Sequence, residues 1–568
     1  MRMWITPVLL IAAACLAVAQ PPAKKDDGPP PIIITPKRPG EPAAGTKDTP
    51  DKIIIRPKGT TQPDPVPVPA KDPAQPVPAV VKADGILYDY WFAAAVDGQI
   101  IGYTHWEAKE ETKNGRKLLT GSKYQKFTVS RIGQTVNQFG EESTVETPEG
   151  EVLVTSFRQG LGNQSLSITG VVDGKVLKVT GSGGAQAASD TPWPAGVVGV
   201  AREPMLFKQN KLKPGESFEY LSYVAPINRA VKITVTFEGE ETLTLWPNTP
   251  PRKLNKYVAR MEPLPQFKFP PNVTWTDPDS GEPLLVEFKY PPLGGRVSFL
   301  RTTQQAATAP ITRPLELFNT QSIRLDREIP QIHQRGSVVY KVAMADDDEP
   351  NTAFATDARQ EVKNFDPKTK TFELHVSASH GPVKGAENEP APGKEYLGSS
   401  FYINWDNADV KGHAAKAVAG LGPNATAWDK ARAVERWVNQ NMKAFEFSQA
   451  MAPADQVAKT LSGDCTEYAM LAAAMCRAVG VPSRIVVGLV HAPGKDGKYY
   501  LAYHMWAEVY ADGQWLPIDA TLGMGGVGPG HVKISDSSWH DERSIAPLLP
   551  MLRVLMAKPT VEVVKVGQ

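Results

Sequence analysis

"LSGDCTEYAMLAAAMCRAVGVP", residues 461–482, reads as one helix with a marked start and a marked end. Ser462, Gly463 and Asp464 supply turn and N-cap chemistry. Leu471, Met475 and the alanines favour helix, Gly480 stands where a C-terminal cap belongs, and Pro482 prevents continuation. Cys465 therefore falls in the first turn, where the partial positive charge of the helix N-terminus favours a thiolate. Cys476 falls three turns deeper among Ala472, Ala473 and Val479 and reads as an inert core residue. Eleven residues of helix separate the two sulfurs by roughly 16 Å, whereas a disulfide needs Cα atoms within about 7 Å. The pair is thus no disulfide, and it is too sparse for a zinc site.

A strand-like run, "SRIVVGLVHA", follows at 483–492, and then "KYYLAYHMWAEVYADGQWLPIDATLG" at 498–523. The second stretch reads as two strands joined at Asp512-Gly513, a favoured hairpin turn. A turn centred there pairs Ala511 with Gln514, and extension of that register sets Trp506 opposite Asp519 and His504 opposite Thr521. Side chains alternate along a strand, so His504, Trp506, Asp519 and Thr521 share one face. Asp519 becomes the diagonal cross-strand neighbour of His504, within reach of its imidazole. A thiol at a helix start, a histidine and an aspartate are the residue types that nucleophilic acyl transfer requires. The histidine takes the thiol proton and later gives it to the leaving amine, and the aspartate fixes the imidazole tautomer. The candidate catalytic residues are Cys465, His504 and Asp519. The backbone N–H of Cys465 is a candidate oxyanion donor, with Gln440 and Asn441 as side-chain candidates by residue type alone. Trp506, Trp515 and Glu508 read as scaffold, and no role is assigned to His491, His531 or His540.

Taken together, "GDCTEYAMLAAAMCRAVGVPSRIVVG" and "YHMWAEVYADGQWLPIDAT" resemble the core of the transglutaminase-like superfamily. The matching positions are Gly463 and Cys465, the segment from Arg477 to Arg484, His504 with Trp506 and Glu508, and Asp519 with Thr521. The resemblance spans roughly residues 398–525. It implies a papain-like fold, a Cys–His–Asp triad, no cofactor and no metal, and a protein, peptide or cell-wall amide as substrate. Hydrolysis would make the chain a protease or amidase, and attack by an amine would make it a transglutaminase. A non-catalytic binding or scaffold protein with a vestigial papain-like domain is the alternative.

Outward from this core, "TAWDKARAVERWVNQNM" at 426–442 reads as a helix, opened by Thr426 and Asp429 at capping-box spacing. Residues 85–310 carry short β-branched, partly alternating runs such as "KFTVSRI", "EVLVTSF" and "AVKITVTFEG". They predict a large antiparallel sheet. His105, within that region, reads as an ordinary half-buried histidine. The fold class expected is multidomain: an N-terminal antiparallel β region followed by a C-terminal α+β papain-like domain. The divisions are 85–310 for the β domain, 311–397 for a β-rich connecting module and 398–568 for the transglutaminase-like domain with a C-terminal extension.

Ahead of them, "MRMWITPVLLIAAACLAVAQ" has the basic start, apolar run and small-residue site of a signal peptide, with cleavage expected after Ala19. Lipid attachment at Cys15 is the weaker alternative, because "AAAC" lacks a large aliphatic residue three positions earlier. Residues 20–84 are about a quarter proline and read as an extended spacer. A secreted or periplasmic location follows, with no transmembrane segment in the mature chain. The formal net charge of +1 points to no nucleic-acid partner.

Overall fold

The computed structural model describes residues 85–568, apart from 132–133, 162–163, 183–188, 265–266, 386–388, 446–450, 495 and 541–545. The expected signal peptide, Cys15 and the proline-rich segment lie outside the described residues. No described helix is long and apolar enough to cross a membrane.

The described residues begin with a 15-stranded sheet, antiparallel throughout except for one short parallel pairing. Its central strand, Ile86–Val96, pairs with Gln99–Lys113 on one side and Gly295–Thr302 on the other. From there the strands continue outward as hairpins to Ser189–Pro192 at one edge and Ser217–Val224 at the other. The two edges are drawn together by the segment after Pro192, where Val197 bridges Leu221 in parallel. Alternation puts Phe92, Trp106, Phe127, Val235 and Phe299 inside the curled sheet, all buried. His105 is a strand residue that stacks on Trp91 and bonds Asp89, a structural arrangement.

A four-stranded sheet follows, ordered Gln360–Asp366, Thr371–Ser377, Ser337–Ala343 and Thr560–Val566. Its last strand, Thr560–Val566, lies more than 180 residues after Thr371–Ser377 in sequence. In space, the connecting module is therefore completed by residues that follow the transglutaminase-like region in sequence.

In sequence, the α+β region that holds the site lies between Thr371–Ser377 and Thr560–Val566. Helices Ala408–Val418, Ala427–Asn441, Ala454–Thr460 and Cys465–Ala478 pack beside a five-stranded sheet. Tyr499–Ala511 pairs with Ser483–Pro493, which pairs with His531–Ser537. The helix over 427–441 starts at Thr426 with the capping box formed as its sequence predicts. One hydrophobic core runs from the large sheet into this region without a break, through Leu293, Leu317 and Ile323. A large N-terminal antiparallel sheet followed by a C-terminal α+β region is thus the architecture.

Candidate active site

The helix Cys465–Ala478 begins where the sequence marks it. Asp464 is its N-cap, accepting from Thr466 N–H at 2.9 Å, and Glu467 reaches back to Asp464 N–H at 3.0 Å. Glu467 also accepts from Ala452 N–H at 3.0 Å. Gly463 has φ of +144°, and a Cβ there would stand 2.4 Å from Glu467 Cβ. A glycine is required before this cap for both reasons. Both cysteines are buried in this one helix and neither forms a disulfide.

The hairpin adopts the expected register from the turn to Ala507, but the expected pairs of Trp506 with Asp519 and His504 with Thr521 do not form. Asp512 and Gly513 both have positive φ, and Ala511 pairs with Gln514 through to Ala507 with Ile518. The ladder stops at Ile518, so Asp519 stands one residue beyond it, in a turn. On the other side of the gap, Leu501 pairs with Ile323. Residues 502–506 therefore present an edge with no described strand beside it, and the site is built on that edge. Asp519 approaches it from one end, and the Met505 backbone N–H is hydrogen-bonded to the Cys465 sulfur.

His504 Nε2 lies 2.8 Å from Asp519 Oδ2. The same oxygen lies 2.9 Å from His531 Nε2. Asp519 Oδ1 accepts from Thr521 N–H at 2.9 Å and Leu522 N–H at 3.3 Å. A carboxylate offers about four acceptor positions, and all four are used. Burial works to raise the Asp519 carboxyl, but its contacts with His504 and His531 hold it well below the usual carboxylate range. An ionised carboxylate only accepts, so both rings donate through Nε2, which leaves each Nδ1 unprotonated in the neutral ring. Nδ1 of His504 is buried and has no hydrogen-bond partner.

The cysteine departs from expectation. Its position at a helix start predicts a lowered thiol pKa and ready access. Instead Cys465 is fully buried, and burial, with Asp464 and Glu467 adding like charge, pushes its thiol well above the ordinary value. Two nearby carboxyl groups and the loss of solvent outweigh the helix terminus. Cys476 is also raised by burial, in line with an inert core residue.

Neither side-chain oxyanion candidate reaches the site. Gln440 is exposed, and the Asn441 amide bonds its own helix at Trp437 O, 2.8 Å. Asn439 is the amide that touches the site loop, donating to Ala520 O at 2.9 Å and Thr521 O at 3.2 Å. Glu435, on the same helix, accepts from Gly525 N–H at 3.0 Å and Asp519 N–H at 3.3 Å through one oxygen. Burial pushes its carboxyl up to about 7. His531 is the other residue that sequence reasoning left without a role. Gly488, a glycine inside a strand, marks a close approach beside this cluster. Gly488 pairs with His504, and a Cβ there would lie 2.6 Å from the Trp506 ring. The rings of His504, Trp506 and His531 lie against one another, with centroids 5.3 to 6.1 Å apart.

The remaining motif residues are structural. Arg477 donates to the carbonyls of Gly398, Ser483 and Ser538. Glu508 holds Arg484 at 2.6 Å and Lys533 at 2.8 Å in a buried ionic network that also takes in Asp357 and Asp536. His504, Asp519 and His531 each offer a metal-donor atom, all within 4.8 Å of one another. The two contacts to Asp519 have hydrogen-bond lengths.

Residues 413–520 match the transglutaminase-like superfamily. A candidate cysteine protease from Cytophaga hutchinsonii aligns over 40% of this chain and 83% of its own, at 16% identity and a TM-score of 0.25. A β-barrel-like protein of the DUF1849 domain from Brucella abortus aligns over 39% of this chain and 98% of its own, at 9% identity and a TM-score of 0.28. A candidate protease from Parabacteroides distasonis aligns over 64% and 63%, at 11% identity and a TM-score of 0.16. No curated protein matches the sequence. The region around Cys465, His504 and Asp519, residues 413–520, is a transglutaminase-like superfamily domain.

Proposed function

We propose that the protein is an exported cysteine enzyme that acts on amide bonds through a thioester on Cys465. The observation that carries this reading is the His504–Asp519 contact of 2.8 Å beside a strand edge whose Met505 N–H holds the Cys465 sulfur. Asp519 occupies Nε2 of the ring, so Nδ1 is the nitrogen available to the thiol. In the reaction, Nδ1 takes the proton from Sγ as sulfur attacks the carbonyl carbon. The resulting oxyanion faces the helix start, where the Cys465 N–H is the candidate donor. The imidazolium then protonates the departing amine, which leaves a thioester. Water completes a protease or amidase cycle, and an amine completes acyl transfer. The substrate is a protein, peptide or cell-wall amide.

One observation favours a second reading. Cys465 is sealed from solvent and its thiol is raised, as suits a non-catalytic scaffold that keeps a papain-like core. Profiling a peptide library with wild type and Cys465→Ala separates the two. Cleavage or amine incorporation that disappears in the variant supports the enzyme, and identical profiles support the scaffold.

A further inference from the structure

Asp519 serves two imidazoles, and the catalytic scheme uses one. His531 is fully buried at the start of the strand His531–Ser537, and its ring reaches Asp519. Its Nε2 stands 2.9 Å from the oxygen that His504 uses at 2.8 Å. Its backbone is fixed as well: the N–H donates to Gly528 O, and the carbonyl accepts from the Arg359 guanidinium. A side chain pinned at both backbone groups and packed edge-on against Trp506 has little freedom to leave the carboxylate.

We propose that His531 is a positioning residue, which shares Asp519 Oδ2 with His504 and so limits how strongly that carboxylate stabilises the protonated His504 ring. The inference rests on the Cys–His–Asp reading above. A carboxylate oxygen that already accepts one N–H has less charge to offer a second donor. The sharing also stops Asp519 from rotating to a single-partner geometry, so the His504 ring stays oriented with Nδ1 free. Burial pushes His531 down to about 3, against the pull of Asp519, so it acts as a neutral donor throughout the working range.

The charged and titratable groups around this cluster are few. Cys465 faces it from the helix Cys465–Ala478, and Glu435 from the helix Ala427–Asn441 through the Asp519 N–H. His333 lies edge-on to His531 with centroids 5.4 Å apart, and His491 lies 6.5 Å from His333. Arg359 is held on the His531 carbonyl, and Lys533 is committed to Glu508, Asp357 and Asp536. None of these supplies Asp519 Oδ2 with a substitute donor.

Two variants of the full chain test the role. His531→Gln keeps an N–H at about the reach of Nε2, and His531→Phe keeps the ring shape without a donor. Ring-¹⁵N spectra of histidine-labelled wild type should show both His504 and His531 as Nε2–H tautomers, and they need no substrate. In the pH profile of p-nitrophenyl acetate turnover, His531→Phe should move the acidic limb up by about one pH unit, because the undivided carboxylate favours the imidazolium. His531→Gln should keep the limb near its wild-type position. An Nδ1–H tautomer at His531 overturns the inference. So does a uniform loss of rate in both variants with an unmoved limb, which would mark a packing role. If His531→Phe fails to fold, His531→Gln together with the wild-type tautomer decides the matter. Wild type that turns over no ester but shows both Nε2–H rings sinks the catalytic reading, while the shared carboxylate stands.

Discussion

The Nε2 atom of His504 lies 2.8 Å from Oδ2 of Asp519, although Asp519 stands beyond the last paired residue of its strand. Escape from the ladder lets the carboxylate turn back over the strand edge and frees the next backbone N–H groups, Thr521 and Leu522, to bind Oδ1. Glu435 and Asn439 hold the turn from the neighbouring helix. Position, charge and orientation of the imidazole thus depend on one loop.

Asp519→Asn should therefore affect both rate and stability. The amide cannot accept from two imidazoles at one end and two backbone groups at the other. Turnover should fall by about 10²–10⁴ as the His504 tautomer is lost. Stability should fall by about 1–3 kcal/mol from buried donors left unpaired. Kinetics and urea unfolding of the same preparation measure both. A variant of wild-type stability and rate would contradict the placement of Asp519.

Glu435 gives a pH signature of opposite sign to that of an ordinary paired acid. Its carboxyl is raised from 4.5 to about 7. The folded state therefore binds the proton more tightly than the unfolded state across that interval, and stability falls as pH rises through it. The effect amounts to about 3 kcal/mol. Glu435→Gln keeps the oxygen that accepts from Asp519 and Gly525 and removes the ionisation. It should flatten the stability profile between pH 4.5 and 7 and raise the Tm at pH 8. A profile as steep as wild type's would assign the slope to another group.

Neither thiol should react quickly in the native protein at neutral pH. Cys465 is buried with its thiol pushed up, so its alkylation should be slow, should rise with pH, and should depend on local opening. Cys476 should react only on unfolding. Mass-spectrometric mapping after timed iodoacetamide treatment distinguishes them. Fast labelling of Cys465 at pH 7 would show that the helix terminus dominates after all.

Lys533 ties the connecting module to the transglutaminase-like region, with contacts of 2.8 to 3.1 Å to Glu508, Asp536 and Asp357. Lys533→Met leaves these carboxylates in a buried site without their shared cation. It should cost about 3–5 kcal/mol, read as a fall in urea midpoint. A change within about 0.5 kcal/mol, the size of an ordinary surface substitution, would show that the network is dispensable.

What the sequence makes legible here is local. The cap at Asp464, the capping box at Thr426 and the Asp512-Gly513 turn each depend on residues a few positions apart, and the turn then carries the register out to Ile518, next to Asp519. The alternating runs of residues 85–310 mark the large sheet in the same way. His531, Glu435 and Asn439 meet Asp519 only through tertiary packing, and their own neighbourhoods carry no trace of it. The burial of Cys465 is equally non-local, because it depends on everything packed above the helix start. The pairing of Thr560–Val566 with Ser337–Ala343 joins segments more than 200 residues apart, which no periodicity within either strand reveals.

The most direct measurement is acylation of Cys465 itself. Wild type and His504→Ala are mixed with p-nitrophenyl acetate, quenched after a few seconds, digested and mapped by mass spectrometry. A mass increase of one acetyl group on the Cys465 peptide of wild type, absent from His504→Ala, is the predicted result. Acetyl groups confined to surface lysines in both proteins, with Cys465 unmodified, would contradict a nucleophilic role for this thiol.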